Sequence, residues 1–238
     1  MSVLNNKNCF LSGATGGVGE IFAKKLASKG CNLFLTSTSN KSLKNLRDNI
    51  KANYDVQVFF ESSDFTKTES VMNVSKVALE MYGNIDVLIN SAGIFKQKPI
   101  DKTTSEEFFN TLNTNLYAPY YFAKTFSVGM KEKSWGRIVN IGSSSSYKGV
   151  ENSSLYCMSK HGLSGLSKVL DEELIKFGIR TIEIQPGSIN TKMGKLDETQ
   201  NHNTFIEPEN LVEFTLHVLE YDDNLKFSEI KIFRTKYE

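Results

Sequence analysis

The sequence predicts an open, doubly wound α/β fold: a seven-stranded, mostly parallel sheet with helices on both faces. Three observations predict it. Short β-rich runs alternate with longer helical stretches along the chain. Most of those runs are apolar at both alternating positions, as strands covered on two faces are. The length of 238 residues and the apolar share of 39% suit one domain with a sizeable core, so residues 1–238 are read as a single domain.

The strand-like runs lie near Asn8–Ser12, Asn32–Thr36, Gln57–Glu61, Val87–Asn90, Arg137–Ile141, Thr181–Gln185 and Glu229–Phe233. Between them, Gly17–Lys29 sets Val18, Ile21, Phe22 and Leu26 at mostly helical spacing. Thr66 with Glu69, and Thr104 with Glu107, predict capping boxes at two helix starts. Pro208 stands where a last helix would begin. Repeated β-α units imply right-handed crossovers and a parallel sheet. Ser143–Ser146 reads as a loop, and Lys131-Glu132-Lys133 as a solvated turn.

Composition excludes several classes. Lys and Arg number 28 against 27 Asp and Glu, without the basic excess of a nucleic-acid binder. No apolar stretch approaches the roughly 20 residues of a membrane span, and no basic-then-apolar leader opens the chain. Cys9, Cys31 and Cys157 show no CxxC spacing and are expected as buried, reduced thiols. The expected setting is cytoplasmic. His161, His202 and His217 lack metal-ligand spacing, so no metal site is expected.

Chemistry first shows after the first strand, in Ser12-Gly13-Ala14-Thr15-Gly16-Gly17-Val18-Gly19. Glycines let the backbone approach a ligand closely, and a helix N-terminus offers free N–H groups to a pyrophosphate. The spacing G-x-x-x-G-x-G differs from the usual G-x-G-x-x-G fingerprint and by itself also fits a ligand-free turn. A dinucleotide site has a second marker at the end of strand 2, where a carboxylate holds the ribose of NAD. Here Thr36-Ser37-Thr38-Ser39 stands instead, with Lys41 close by. Ser37 and Thr38 could bond a 2′-phosphate, which favours NADP(H) and leaves NAD(H) as the other choice.

Tyr156 and Lys160 are four apart and share a helix face. A nearby ammonium favours the phenolate and is expected to lower the tyrosine pKa, making a general acid/base. Such a pair also arises by chance on surfaces. Ser143, after the fifth strand, can bond a substrate oxygen, although Ser144, Ser145 and Ser146 stand beside it.

Together, Ser12-Gly13-x-x-x-Gly17-x-Gly19, Asn90-Ser91-Ala92-Gly93, Ser143, Tyr156-x-x-x-Lys160 and Pro186-Gly187 resemble the short-chain dehydrogenase/reductase family. The likeness is particularly to its 3-oxoacyl-carrier-protein reductase-like members. It implies a Rossmann-type fold and one dinucleotide-binding and catalytic domain. It further implies Tyr156 as proton donor or acceptor, Ser143 holding the substrate oxygen, and Lys160 bonding the nicotinamide ribose. Asn115 matches a fourth catalytic position. Pro119 lies four residues on and clashes with the Asn115 carbonyl in a regular helix. A kink would free that carbonyl for a water in a proton relay; packing alone would also explain one. The cofactor would be held by Gly13, Thr15, Gly16, Gly17, Val18, Gly19, Ser37 and Thr38. Asp64 and Phe65 would sit at the adenine, with Asn90, Ala92, Gly93, Tyr156, Lys160, Pro186, Gly187, Ile189 and Thr191 completing the set. Ser12 stands where threonine is commoner, and the C-terminus lacks the family's glycine-rich ending.

The expected activity is hydride transfer between NADP(H) and a carbonyl or alcohol, foremost as an NADPH-dependent ketone or aldehyde reductase. The alternatives are an NAD-dependent alcohol or sugar dehydrogenase and, remotely, a non-enzymatic nucleotide sensor. Phe95, residues 147–155 and the segment Asn190–Phe205 would build a partly apolar substrate pocket, that segment as a lid or an ordered loop. A homodimer or homotetramer is expected through the helices near Ser105–Lys131 and Leu155–Phe177.

Overall fold

A computed structural model describes residues 2–197, 200–221 and 225–235. Seven strands form one sheet: β1 (Asn8–Ser12), β2 (Asn32–Ser37), β3 (Val58–Ser62), β4 (Val87–Asn90), β5 (Gly136–Ile141), β6 (Ile179–Pro186) and β7 (Glu229–Ile232). Their order is β3-β2-β1-β4-β5-β6-β7, and every pairing is parallel. The order reverses direction between β1 and β4, the switch point outside which ligands bind in such sheets.

Side-chain alternation builds the two layers. Cys9 and Leu11 of β1, Leu33 and Leu35 of β2, and Val87 and Ile89 of β4 point to one face. There they meet Phe22 and Leu26 of α1 (Gly17–Ser28), Leu43 and Ile50 of α2 (Asn40–Asn53), and Leu211 and Leu216 of α7 (Pro208–Glu220). The intervening Phe10, Phe34 and Leu88 point to the other face. They pack on α3 (Thr68–Tyr82), α5 (Ala118–Glu132) and α6 (Ser154–Leu174). Phe10 stacks on Phe34 at 5.5 Å and lies 4.7 Å from Phe122 and 4.9 Å from Phe126. Cys9, Cys31 and Cys157 are free and buried, and burial pushes the Cys31 thiol up to about 12.

Two local expectations change. The helix expected at Thr66 begins at Thr68, because the Thr66 hydroxyl donates to Asp64 Oδ1 at 2.7 Å instead of capping. The long stretch Ser105–Lys131 is broken. The α4 helix (Ser105–Leu112) opens with the expected Thr104–Glu107 capping box. A π-turn covers Asn113–Tyr117, and α5 then starts with Pro119 in its first turn. In that turn Ala118 N–H reaches back five residues to Asn113 O. This is how the chain accommodates a proline whose ring a regular α-turn would drive into the Asn115 carbonyl.

Candidate active site

The glycine turn sits where β1 meets α1. Gly13 holds φ +69°, and a Cβ there would lie 2.7 Å from Ala92 N. A Cβ on Gly19 would collide with Gly13 O. A Cβ on Gly17 would press on Thr191 Cγ2 at 2.9 Å, so the Thr191 side chain lies directly over the turn. No side chain caps α1 at Gly16, and Gly16 and Gly17 are exposed. The first N–H groups of the helix, on Gly17, Val18 and Gly19, therefore stay open to an anion. The Val18 side chain itself packs at the edge of the core. Ser12 accounts for its own hydroxyl. Its Oγ accepts from Ser91 N at 3.2 Å and Ala92 N at 3.3 Å, tying the first β-α turn to the fourth. A bare turn with open donors and no room for Cβ atoms fits a dinucleotide pyrophosphate.

The end of β2 lies beside it. Thr15 Oγ1 donates to Ser37 Oγ at 2.9 Å, and Thr38 is exposed. Ser39 caps α2, whose first turn carries Lys41 and no acidic residue. Asp64 follows β3 and accepts from the Thr66 N–H and hydroxyl, which lowers its pKa. Phe65 stands beside it. Its ring is buried against Phe122 at 5.3 Å, because an apolar ring there completes the second core. Only its backbone is left for a ligand. Asn90 is likewise committed, its Nδ2 donating to Asn140 Oδ1 at 2.8 Å.

The expected catalytic side chains converge above β5. Ser143 follows that strand, and its Oγ accepts from Ser145 N at 3.1 Å. Of the neighbouring serines, Ser145 and Ser146 are buried, and Ser146 Oγ donates to Glu183 Oε1 at 2.8 Å, while Ser144 is half-buried like Ser143. Tyr156 and Lys160 rise from α6. The Tyr156 ring packs edge-on against Phe95 at 4.9 Å. Lys160 Nζ lies 5.7 Å from that ring's centroid and donates to Ile141 O at 2.6 Å. The expected lowering of the tyrosine pKa is not found. Burial pushes the phenol up to about 12, with the Ser143 hydroxyl acting in the opposite sense. The ammonium is spent on the Ile141 carbonyl instead. Burial pulls Lys160 down to about 8, against the pull of Glu183 in the other direction.

The Asn115 side chain faces the same place. Its Oδ1 accepts from Ile94 N at 2.8 Å, and its Nδ2 donates to Ile94 O at 2.9 Å and Ser159 Oγ at 3.0 Å. The π-turn thus fixes Asn115 between the loop after β4 and α6. Glu183 was not anticipated. It is fully buried on β6 and accepts from Ser146 and from Gln185 Nε2 at 2.8 Å. A lone carboxylate inside the apolar run TIEIQ was the available signal.

The cleft beside Tyr156 also departs from expectation. Of the residues foreseen, Asn152, Ser154 and Leu155 line it. Lys96, Lys98, Thr103, Glu107 and Thr111 line it as well and were not foreseen. It is partly apolar, as expected, but α4 and the loop after β4 also turn charged side chains toward it. The Tyr147 ring instead lies under Lys231 Nζ at 4.3 Å. In the Asn190–Phe205 segment, residues 198 and 199 lie outside the described residues. It is tied down at two places: Asn190 Nδ2 donates to Glu207 Oε1 at 3.0 Å, and Ser188 Oγ to Gln200 Oε1 at 2.7 Å. Pro186 ends β6, Gly187 N donates to Ile232 O at 2.9 Å, and Ile189 pairs with Ile206.

No helix among the described residues is long and apolar enough to cross a membrane. A model of the short chain dehydrogenase family matches residues 7–202. An uncharacterized oxidoreductase of Staphylococcus aureus strain MRSA252 is 28% identical over 232 residues, 98% of this chain and 99% of its own. Among solved structures, an alcohol dehydrogenase of the archaeon Thermococcus sibiricus, complexed with 5-hydroxy-NADP, superposes with TM-score 0.88 at 25% identity over 98% of both chains. A metagenomic short-chain oxidoreductase in complex with NADP gives TM-score 0.86 at 26% identity, over 98% of this chain and 99% of its own.

Proposed function

The chain belongs to the short-chain dehydrogenase family, and from that premise we propose that it is an NADPH-dependent reductase of a ketone or aldehyde, formed as one dinucleotide-binding and catalytic domain. The observation that carries the reading is the convergence of Ser143, Tyr156, Lys160 and Asn115 beside the uncapped glycine turn. Gly13, Thr15, Gly16, Gly17, Val18, Gly19 and Thr191 would hold the pyrophosphate end, and Ala92, Gly93, Pro186, Gly187 and Ile189 the nicotinamide end. Asp64 and the Phe65 backbone would border the adenine. A bound nicotinamide supplies or accepts the hydride.

The protein's own part is the proton and the position of the substrate. Tyr156 keeps a proton on its phenolic oxygen at neutral pH, because burial holds its pKa up. Ser143 donates a hydrogen bond to the substrate oxygen and sets it against that phenol. Lys160 holds the ribose and hands protons onward, and the Asn115 carbonyl at the π-turn would order the water that resupplies them. Exposed Phe109, Tyr120, Val128, Met158 and Val169 on α4, α5 and α6 support a homodimer or homotetramer through those helices.

NADPH is favoured over NADH because the β2 end offers Ser37, Thr38 and the cationic α2 start and no carboxylate. Titration by cofactor fluorescence tests this, with tight NADPH and weak NADH binding expected. The reverse order points to an NAD-dependent dehydrogenase, and binding of neither ends the enzyme reading. Placing a carboxylate at the β2 end tests the same contact by repulsion. Ser37→Asp is expected to weaken NADPH roughly tenfold or more while changing NADH little, since a tenfold change in Kd is about 1.4 kcal/mol, the scale of one charge-charge contact.

A further inference from the structure

We propose that the substrate is a small carbonyl or hydroxyl compound bearing an anionic group, a carboxylate or a phosphate ester, that docks on Lys96 and Lys98. The inference rests on the reductase reading and names the substrate class of the same site. The cleft next to Tyr156 is open and shallow: as a cavity it holds about 20 Å³, and about 320 Å³ only when the solvent space at its mouth is counted. Its charged lining is two lysines and one glutamate, which leaves one cation uncompensated.

The three charges are organised rather than loose. Glu107 is held by the Thr104 N–H at 3.0 Å as part of the α4 capping box. Its two oxygens take Lys98 Nζ at 3.1 and 2.9 Å. Lys98 is fixed again through its backbone, whose N–H donates to Asn152 O at 2.5 Å across the cleft. Lys96 reaches the same carboxylate only at 3.7 Å, and its side chain is 65% exposed. Lys98 is thus positioned, and Lys96 is available to a second anion.

The rest of the lining speaks for the same chemistry. Thr111 and Asn152 supply polar edges. The Ser154 hydroxyl is buried, with no partner in the protein, two residues before Tyr156. A buried hydroxyl without a partner is costly unless a ligand satisfies it. A long aliphatic or steroidal ketone would have to strip water from these charges without pairing them. A compact anion gains from each of them.

The test is calorimetric binding to the NADP⁺-loaded protein and to the protein without cofactor. The probes are 4-oxopentanoate, 6-oxoheptanoate and glycerone phosphate, each against its neutral counterpart: the two methyl esters and glycerone. At least one charged probe is expected to bind roughly tenfold tighter than its partner, the scale two partly exposed ion pairs supply. Carboxylate and phosphate sources separate by which probe does so. Lys96→Gln with Lys98→Gln should bring the preference close to unity. Glu107→Gln should enlarge it, because glutamine preserves the capping box while releasing Lys98. Equal binding of charged and neutral partners, no binding of any charged probe, or a preference indifferent to the lysines overturns the proposal. Reduction of neutral ketones with NADPH would in those cases leave the reductase reading standing. Failure to bind NADPH and NADH removes that reading, while the cofactor-free titrations still decide the anion site.

Discussion

Tyr156→Phe is expected to lower kcat by about two to four orders of magnitude while leaving NADPH affinity and the fold close to wild type. The substitution deletes one oxygen and keeps the ring, so the edge-on packing against Phe95 survives. What goes is the proton source, and a positioned general acid contributes that range. The pH dependence follows from burial. A phenol held near 12 is protonated throughout the neutral range, so any change in reduction between pH 6 and 9 should follow Lys160, held near 8, and not the phenol. Oxidation of the alcohol needs the phenolate, so its kcat/KM should climb as pH rises toward that value. Steady-state kinetics in both directions checks both statements. A Tyr156→Phe enzyme with wild-type turnover would remove the phenol from the mechanism and leave the Ser143 hydroxyl or the Lys160 ammonium as the acid.

Why the fold was legible and part of the site was not can be traced residue by residue. In a sheet covered on both faces, both alternating positions of a strand must be apolar, and β1, β2 and β4 carry that pattern openly. The β3 strand, at the edge, has mixed burial, and its limits shift by one residue from the sequence reading. Thr66 had the right spacing to cap a helix, but Asp64 two residues before it offered its hydroxyl a nearer acceptor. Pro119 announces an irregularity near Asn115, yet a kink and a π-turn use the same residue types. The site divides similarly. Glycines, tyrosine and lysine at fixed spacing announce themselves because their chemistry depends on local geometry. Phe65 does not, since its neighbour Phe122 belongs to a different element. Lys96 and Lys98 lie in a loop without period, and Glu107 already had a sufficient local role as a capping residue. Its second role, holding Lys98, exists only once α4 is laid beside the loop after β4.

Lys160→Met separates what the site gains in chemistry from what it loses in stability. The ammonium is almost wholly buried, and burial lowers its pKa from 10.5 to about 8. A base depressed in the folded state binds fewer protons there than in the unfolded chain between those two values, so stability rises with pH across that window. At about 1.4 kcal/mol per unit, keeping Lys160 charged at pH 7 costs the fold about 3 kcal/mol. Methionine removes that cost but leaves Ile141 O without its donor, a loss of about 1–3 kcal/mol. The variant is therefore expected to be inactive and yet at least as stable as wild type at pH 7. Between about pH 8 and 10.5 the wild type should gain on it by about 3 kcal/mol. The difference between the two proteins is the quantity to follow, because Cys31, raised to about 12 by burial, loses stability for both as pH passes its unfolded value. Urea midpoints of the pair at several pH values measure it. Parallel curves would mean that the ammonium reaches water or Glu183 well enough to stay charged without penalty. Converging curves would show a lysine kept at the expense of the fold, which is the signature of a group retained for its proton.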